Sequence, residues 1–168
     1  MSEYFWVVDK EDHVIGKETR EKCHNTKLIH RSVYVFLNNS KKGIFIQKRS
    51  MMKDLYPGYY TGSASGHVNF GETYDQAAFR ELEEELGVKT NLRKIGKFKC
   101  FSEIDNEIST VYLCNYDGDI IINEDEISQG LFLSLTQIDD DIKRGKKKFP
   151  LGFKLALNVY RLSLNISQ

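Results

Sequence analysis

The stretch GHVNFGETYDQAAFRELEEELGV, residues 66–88, decides how the chain is read. Its second half has a helical pattern. Thr73-x-x-Gln76 has capping-box spacing, Ala77, Ala78, Leu82 and Leu86 form an apolar or small face, and Gly87 is placed to stop the helix. On such a helix the acids look misplaced. Glu81, Glu83, Glu84 and Glu85 fill four of five consecutive positions with no lysine among them. Glu81, Glu84 and Glu85 leave one side of the helix, and each like-charged pair costs about 0.2–0.5 kcal/mol. They also crowd the negative end of the helix dipole. A hard divalent cation such as Mg2+ resolves the conflict, because it takes carboxylate oxygens and bridges well to phosphates. Arg80 is four residues from Glu84 and within pairing range, which fixes the direction of one acid. The glycines ahead of Thr73 permit tight turns that bring carbonyls near Ser65 and Gly66 toward the same ion. Taken alone, RELEEE is most simply a solvated helix face; the spacing around it argues for an ion site.

Working outward, the chain has 168 residues, enough for one domain with a real core. Apolar residues make up 40% and charged residues 29%, an ordinary globular composition. Acidic and basic residues balance at 24 each, which argues against a nucleic acid polymer or an anionic membrane as partner. No apolar run approaches a bilayer span, and the acidic start MSEYFWVVDKED lacks a signal-peptide layout. Cys23, Cys100 and Cys114 form no CxxC and read as free thiols of a reducing cytoplasm.

Strands are expected at Tyr4–Val8 and His13–Glu18 as one hairpin, and at Ser32–Leu37 and Ile44–Arg49 as another. Residues 50–65 read as an aromatic, glycine-bearing loop. Further strands are expected near 94–103, 108–116 and 130–135. A short acidic turn or helix, Thr136–Lys143, and an amphipathic helix from Leu151 to Leu164 close the chain. The pattern predicts one α+β domain over residues 1–168, a sheet packed between helices. The basic cluster KRGKKK at 143–148 reads as a solvated loop.

Residues 66–88 fit the spacing G-x5-E-x7-R-E-U-x-E-E-x-G-U, where U is a bulky aliphatic, on Gly66, Glu72, Arg80, Glu81, Leu82, Glu84, Glu85, Gly87 and Val88. Chance agreement is on the order of one window in a billion at average composition. The segment resembles the Nudix box of hydrolases that cleave a diphosphate linked to another moiety. That resemblance implies a mixed β-sheet sandwiched between α-helices and a Mg2+ or Mn2+ cofactor. It implies Glu84 and Glu85 as principal ligands, with Glu81 as a further ligand or the base that activates water. Gly66 would add a carbonyl, and Glu72 would support the loop–helix geometry by pairing with Arg80. Glu107, Glu124 and Glu126 are open alternatives for a more distant acid.

A second resemblance runs through HNTKLIHRSVYVFL (24–37), QKRSMMKDLYPGYYTGSASGH (47–67) and DNE (105–107), which look like the isopentenyl-diphosphate isomerase branch of the same superfamily. It implies a second ion site at His24, His30, His67, Asp105 and Glu107, with Arg49 and Lys53 gripping the diphosphate. The aromatic loop residues Tyr56, Tyr59 and Tyr60, with Phe70, read as candidates to stack on a base, line an isoprenoid pocket or simply pack. The isomerases carry a cysteine before the Gly-His where this chain has Ser65, a far weaker acid than a thiol. They place a tryptophan where KFPLGF offers Leu151, which has no π-face for a carbocation. This chain keeps the REUxEE core that the isomerases usually disrupt. The expectation is therefore hydrolysis of a small nucleoside-diphosphate-type compound. Prenyl-diphosphate isomerisation and a non-catalytic, nucleotide-binding regulator are the alternatives.

Overall fold

In the computed structural model, residues 3–165 are described. In chain order the elements are β1 (Tyr4–Val8), β2 (Val14–Thr19), α1 (Arg20–Asn25), β3 (His30–Asn39), β4 (Gly43–Arg49), β5 (Tyr60–Thr61) and β6 (Ala64–His67). They continue with α2 (Tyr74–Leu86), β7 (Arg93–Phe101), β8 (Asn106–Asn115), β9 (Ile127–Leu133), α3 (Leu135–Arg144) and α4 (Leu151–Asn165).

Strand β3 is the hub of a mixed sheet. It runs parallel to β8 from His30↔Glu107 to Asn38↔Asn115. Along its other edge it meets β1 at Val7↔His30, β6 from Ser32↔His67 to Val35↔Ala64, and β4 at Asn38↔Ile44 and Asn39↔Gly43. The expected β3–β4 hairpin is therefore present but splays after its turn, and β6 takes the vacated edge. Beyond the turn, β4 pairs antiparallel with β9 and β5, while β7 pairs antiparallel with β8.

Strand alternation sorts the core into two layers. Val33, Val35 and Leu37 of β3 with Tyr112 and Cys114 of β8 pack against Ala77, Ala78, Leu82 and Leu86 of α2. Phe36 of β3 with Val111 and Leu113 of β8 faces the other way, against Phe153, Ala156, Leu157 and Tyr160 of α4. The sheet is thus sandwiched between helices. Leu82 is fully buried, so Leu82→Ala would cost about 2–5 kcal/mol.

Helix α2 starts at the reciprocal capping box of Thr73 and Gln76 and ends at Gly87 in the left-handed region, φ 64°. The acidic segment after β9 is a helix, α3, whose capping box is Ser134 with Gln137. Residues 50–65 are more than the loop expected: β5 lies within them and β6 begins there. Helix α1 had no counterpart in the sequence reading. Cys23, Cys100 and Cys114 are free and buried. Among the described residues no helix is long and apolar enough to cross a membrane.

Candidate functional site

The last turns of α2 pack against β6, and the contact needs a glycine. A Cβ on Gly66 would collide with the carboxylate of Glu81, so absence of a side chain is what seats that acid against the strand backbone. Arg80 fixes the same acid from the other side, with Nη1 donating to Glu81 Oε1 at 2.6 Å and to Glu84 Oε2 at 3.2 Å. The rest of the guanidinium faces the preceding loop. Nε and Nη2 donate to the two oxygens of Glu72 at 2.7 and 2.9 Å, and Nη2 also reaches the carbonyl of His67 at 2.9 Å. Glu72 Oε2 accepts the Asn69 N–H at 3.0 Å, closing the loop onto the helix.

Glu85 is buried, and its Oε2 accepts from Gln47 Nε2 at 2.7 Å and from the Ser65 N–H at 3.1 Å. Glu84 is the exposed member of the trio, with 57% of its side chain open to solvent. Burial pushes the Glu81 carboxyl up to about 7 even with Arg80 beside it. Burial and the charge of Glu81 push Glu85 up to about 8. Burial thus favours the protonated form of both acids, a preference that a bound cation would reverse. The donors gathered here are carboxylate oxygens with the Gly66 backbone adjoining, a set that suits a hard ion such as Mg2+ or Mn2+.

A second cluster stands beside the first. The strand register brings His30 opposite Glu107 and Ser32 opposite His67, while α1 delivers His24. Ligating atoms of His24, His30 and His67 lie within 4.8 Å of one another. Phe5 stacks on the rings of His30 and His67, with centroids 5.4 and 4.5 Å away. His67 Nε2 is 3.2 Å and His30 Nε2 3.6 Å from Glu107 Oε1. Burial opposes the Glu107 charge, but the two imidazoles hold its carboxyl well below the usual range. His24 goes the other way: burial and the neighbouring imidazoles bring it down to about 4. Among the described residues neither ring nitrogen of His24 has a hydrogen-bond partner, although both are buried. A neutral imidazole with orphaned nitrogens beside two more imidazoles and an acid is a donor set for a borderline ion such as Zn2+. Asp105 is buried nearby and accepts the Tyr56 hydroxyl at 2.5 Å.

One cleft of about 350 Å³ is lined by Glu81, Glu84 and Glu85 and, from the second cluster, by His67, Asp105 and Glu107, together with Arg49, Lys53, Ser65, Tyr56 and Glu126; His24 and His30 lie outside its lining. Arg49 is held by its Nε on the Leu55 carbonyl at 3.0 Å, and Lys53 is paired with Glu126. Of the acids left open by sequence, Glu126 lies on the cleft, Glu107 belongs to the histidine cluster, and exposed Glu124 is not in the lining. Tyr60 is not in the lining either: its ring lies beneath Lys48 and Lys147 and beside Phe149. Leu151 is likewise absent from the cleft wall, where Pro150 stands instead. Tyr34, Arg20 and Asn123 line the cleft without any sequence signal having marked them, because each arrives through tertiary packing rather than motif spacing.

The profile of the NUDIX domain family matches residues 28–151. The chain is 30% identical over 163 residues to Isopentenyl-diphosphate Delta-isomerase 2 of Photorhabdus laumondii, covering 94% of this chain and 92% of that one. It is 36% identical over 130 residues to an uncharacterized Nudix hydrolase of Pseudomonas aeruginosa, covering 76% of each. Among solved structures, DR0079 from Deinococcus radiodurans superposes with a TM-score of 0.79 at 30% identity, over 95% of this chain and 98% of that one. The box helix, the sandwiched sheet and these relatives agree: the chain belongs to the Nudix domain family.

Proposed function

We propose that the protein is a cation-dependent Nudix pyrophosphohydrolase, acting on a small diphosphate of the nucleoside-diphosphate type. The observation that carries this reading is the convergence of Glu81, Glu84 and Glu85 on a cleft whose wall also holds Arg49 and Lys53. Glu84, Glu85 and the Gly66 carbonyl would hold a Mg2+ or Mn2+ ion, which would supply charge neutralisation for the diphosphate.

The chain's own groups do the rest. Arg49 and Lys53 grip the phosphates by charge-assisted hydrogen bonds, Lys53 exchanging its contact with Glu126 for the substrate. Arg80 keeps Glu81 Oε1 occupied, which leaves Oε2 to take a proton from the attacking water. Water oxygen bonds to phosphorus as the bridging P–O bond breaks, and the departing phosphate leaves with the bridge oxygen. The free thiols accord with a reducing compartment such as the cytoplasm.

Metal-dependent release of phosphate or pyrophosphate, from a panel of nucleoside di- and triphosphates, dinucleotides and prenyl diphosphates, tests the reading. Release from at least one member that is lost in Glu84→Gln supports it; no release from any, with normal Mg2+ binding, overturns it. The imidazole cluster favours a second reading, a prenyl-diphosphate isomerase. Ser65 at the acid position and Leu151 away from the cleft weigh against it. Deuterium exchange into isopentenyl diphosphate without phosphate release would restore it.

A further inference from the structure

We propose that Gln47 is the positioning residue that decides which oxygen of Glu85 faces the cation. This rests on the reading above, in which Glu85 is a ligand.

Gln47 sits on β4, two residues from Phe45, whose ring packs in the α2 side of the core. Side chains two apart share a sheet face, so an apolar residue is the ordinary occupant of this position. Gln47 is only 1% exposed. A buried carboxamide is costly unless it is hydrogen-bonded, and both hydrogens on this Nε2 have partners. One goes to the Ser63 carbonyl at 3.1 Å and the other to Glu85 Oε2 at 2.7 Å.

The anchor is itself fixed. Ser63 Oγ donates to the Phe45 carbonyl at 2.7 Å and accepts the Leu37 N–H at 2.7 Å, which pins the Ser63 backbone between two strands. Glu85 Oε2 also receives the Ser65 N–H at 3.1 Å, so this oxygen has two protein donors. Among the described residues Oε1 has none. The carboxylate is therefore held in one rotation, with Oε1 presented as the oxygen free for a cation. Outer partners of this kind orient ligands, and their loss typically weakens metal binding by about 10–100-fold. A role confined to tying β4 to β6 would instead lower stability and leave the ion's affinity alone.

Calorimetric titration with Mg2+ separates the two, because imidazoles are poor ligands for this ion and the histidine cluster stays silent. Gln47→Met keeps the side-chain length and removes the donor. Gln47→Asn keeps an amide, one methylene too short to reach Glu85, and covers the case in which the Met variant fails to fold. The expected result is a Mg2+ dissociation constant raised about 10–100-fold in whichever folded variant is measured. A constant within about twofold of the parent protein's, in either folded variant, overturns the proposal. Glu85→Gln is the companion measurement. If it weakens Mg2+ binding while Gln47→Met does not, the positioning role alone falls. If Glu85→Gln leaves Mg2+ binding intact, the ligand role of Glu85 falls with it.

Discussion

Arg80 and Glu72 are joined by both edges of the guanidinium, Nε to Oε1 at 2.7 Å and Nη2 to Oε2 at 2.9 Å, across eight residues that include the turn into the box helix. The pair is mostly buried, with 24% and 22% of the side chains exposed. Burial works against the Glu72 charge, yet Arg80 and the Asn69 N–H keep its carboxyl below the ordinary value. The same guanidinium touches Glu81, so loop geometry and acid geometry are set by one side chain. Glu72→Gln keeps the shape and removes the charge. It should lower stability by about 1.5–3 kcal/mol, the range for hydrogen bonds to charged groups, read as a shift in the urea midpoint. Activity should fall further than stability does, because Arg80 loses the anchor from which it aims Glu81. A Glu72→Gln protein with unchanged midpoint and unchanged turnover would contradict this.

Glu84 offers a cleaner separation of activity from stability. It is the exposed acid of the trio, and its Oε2 accepts from Arg80 at 3.2 Å. Surface ion pairs of this kind contribute little to folding. Glu84→Gln should therefore melt with the parent protein while losing about a hundredfold or more of its metal-dependent turnover, the scale of a lost contribution to charge stabilisation. A side-by-side melting curve and phosphate-release assay decides it. Comparable losses in both would reassign Glu84 to a structural role.

The buried acids give a pH signature with a definite sign. Burial raises Glu81 from 4.5 to about 7 and Glu85 from 4.5 to about 8. Between the unfolded and folded values the folded chain holds protons that the unfolded chain has released. Their stabilising contribution is whole below about 4.5 and is lost as pH rises through about 7 to 8. Glu107 and His24 slope the other way, their contributions fading as pH falls. The metal-free protein should therefore be most stable in mildly acidic solution, and saturating Mg2+ should raise Tm more at about pH 8.5 than at about pH 6. Differential scanning fluorimetry at the two pH values measures it. An equal Mg2+ shift at both would show that these carboxyls do not meet the ion.

How much of this was legible beforehand depended on distance along the chain. Thr73, Gln76 and Gly87 announce the box helix because capping is local, and the structure has those caps. Strands of ordinary length were readable within a few residues. Helix α1 was not, since REKCHN is six residues long with a single buried side chain, Cys23. Strands β5 and β6 hid inside a glycine- and serine-containing segment, where two and four residues show no usable alternation. Pairings were the least readable. Nothing in the local pattern links His30 to Glu107 across the parallel β3–β8 register, or Gln47 to Glu85 across 38 positions. Tyr60 shows the converse, a residue chosen for its chemistry and its neighbours in sequence that lies outside the cleft lining, its ring beneath Lys48 and Lys147.

The two clusters differ in chemistry enough to be titrated apart. Imidazole nitrogens favour Zn2+, whereas an all-oxygen set favours Mg2+. His24 is the member to change, because its buried ring nitrogens have no hydrogen-bond partner among the described residues, leaving it only ring packing against His30, His67 and Phe5. His24→Ala should lose high-affinity Zn2+, measured by competition with a chromogenic chelator, and keep Mg2+ affinity within about threefold, since losing one of three imidazole ligands acts on the nitrogen site alone. Glu84→Gln should do the reverse. The protein would then carry two ions of different hardness, with Glu107 and Asp105 on the nitrogen side and Glu81, Glu84 and Glu85 on the oxygen side. If His24→Ala weakens both ions equally, the clusters are one site, and the cleft must be redrawn around a single centre. If it weakens neither, the three histidines are packing groups around Phe5.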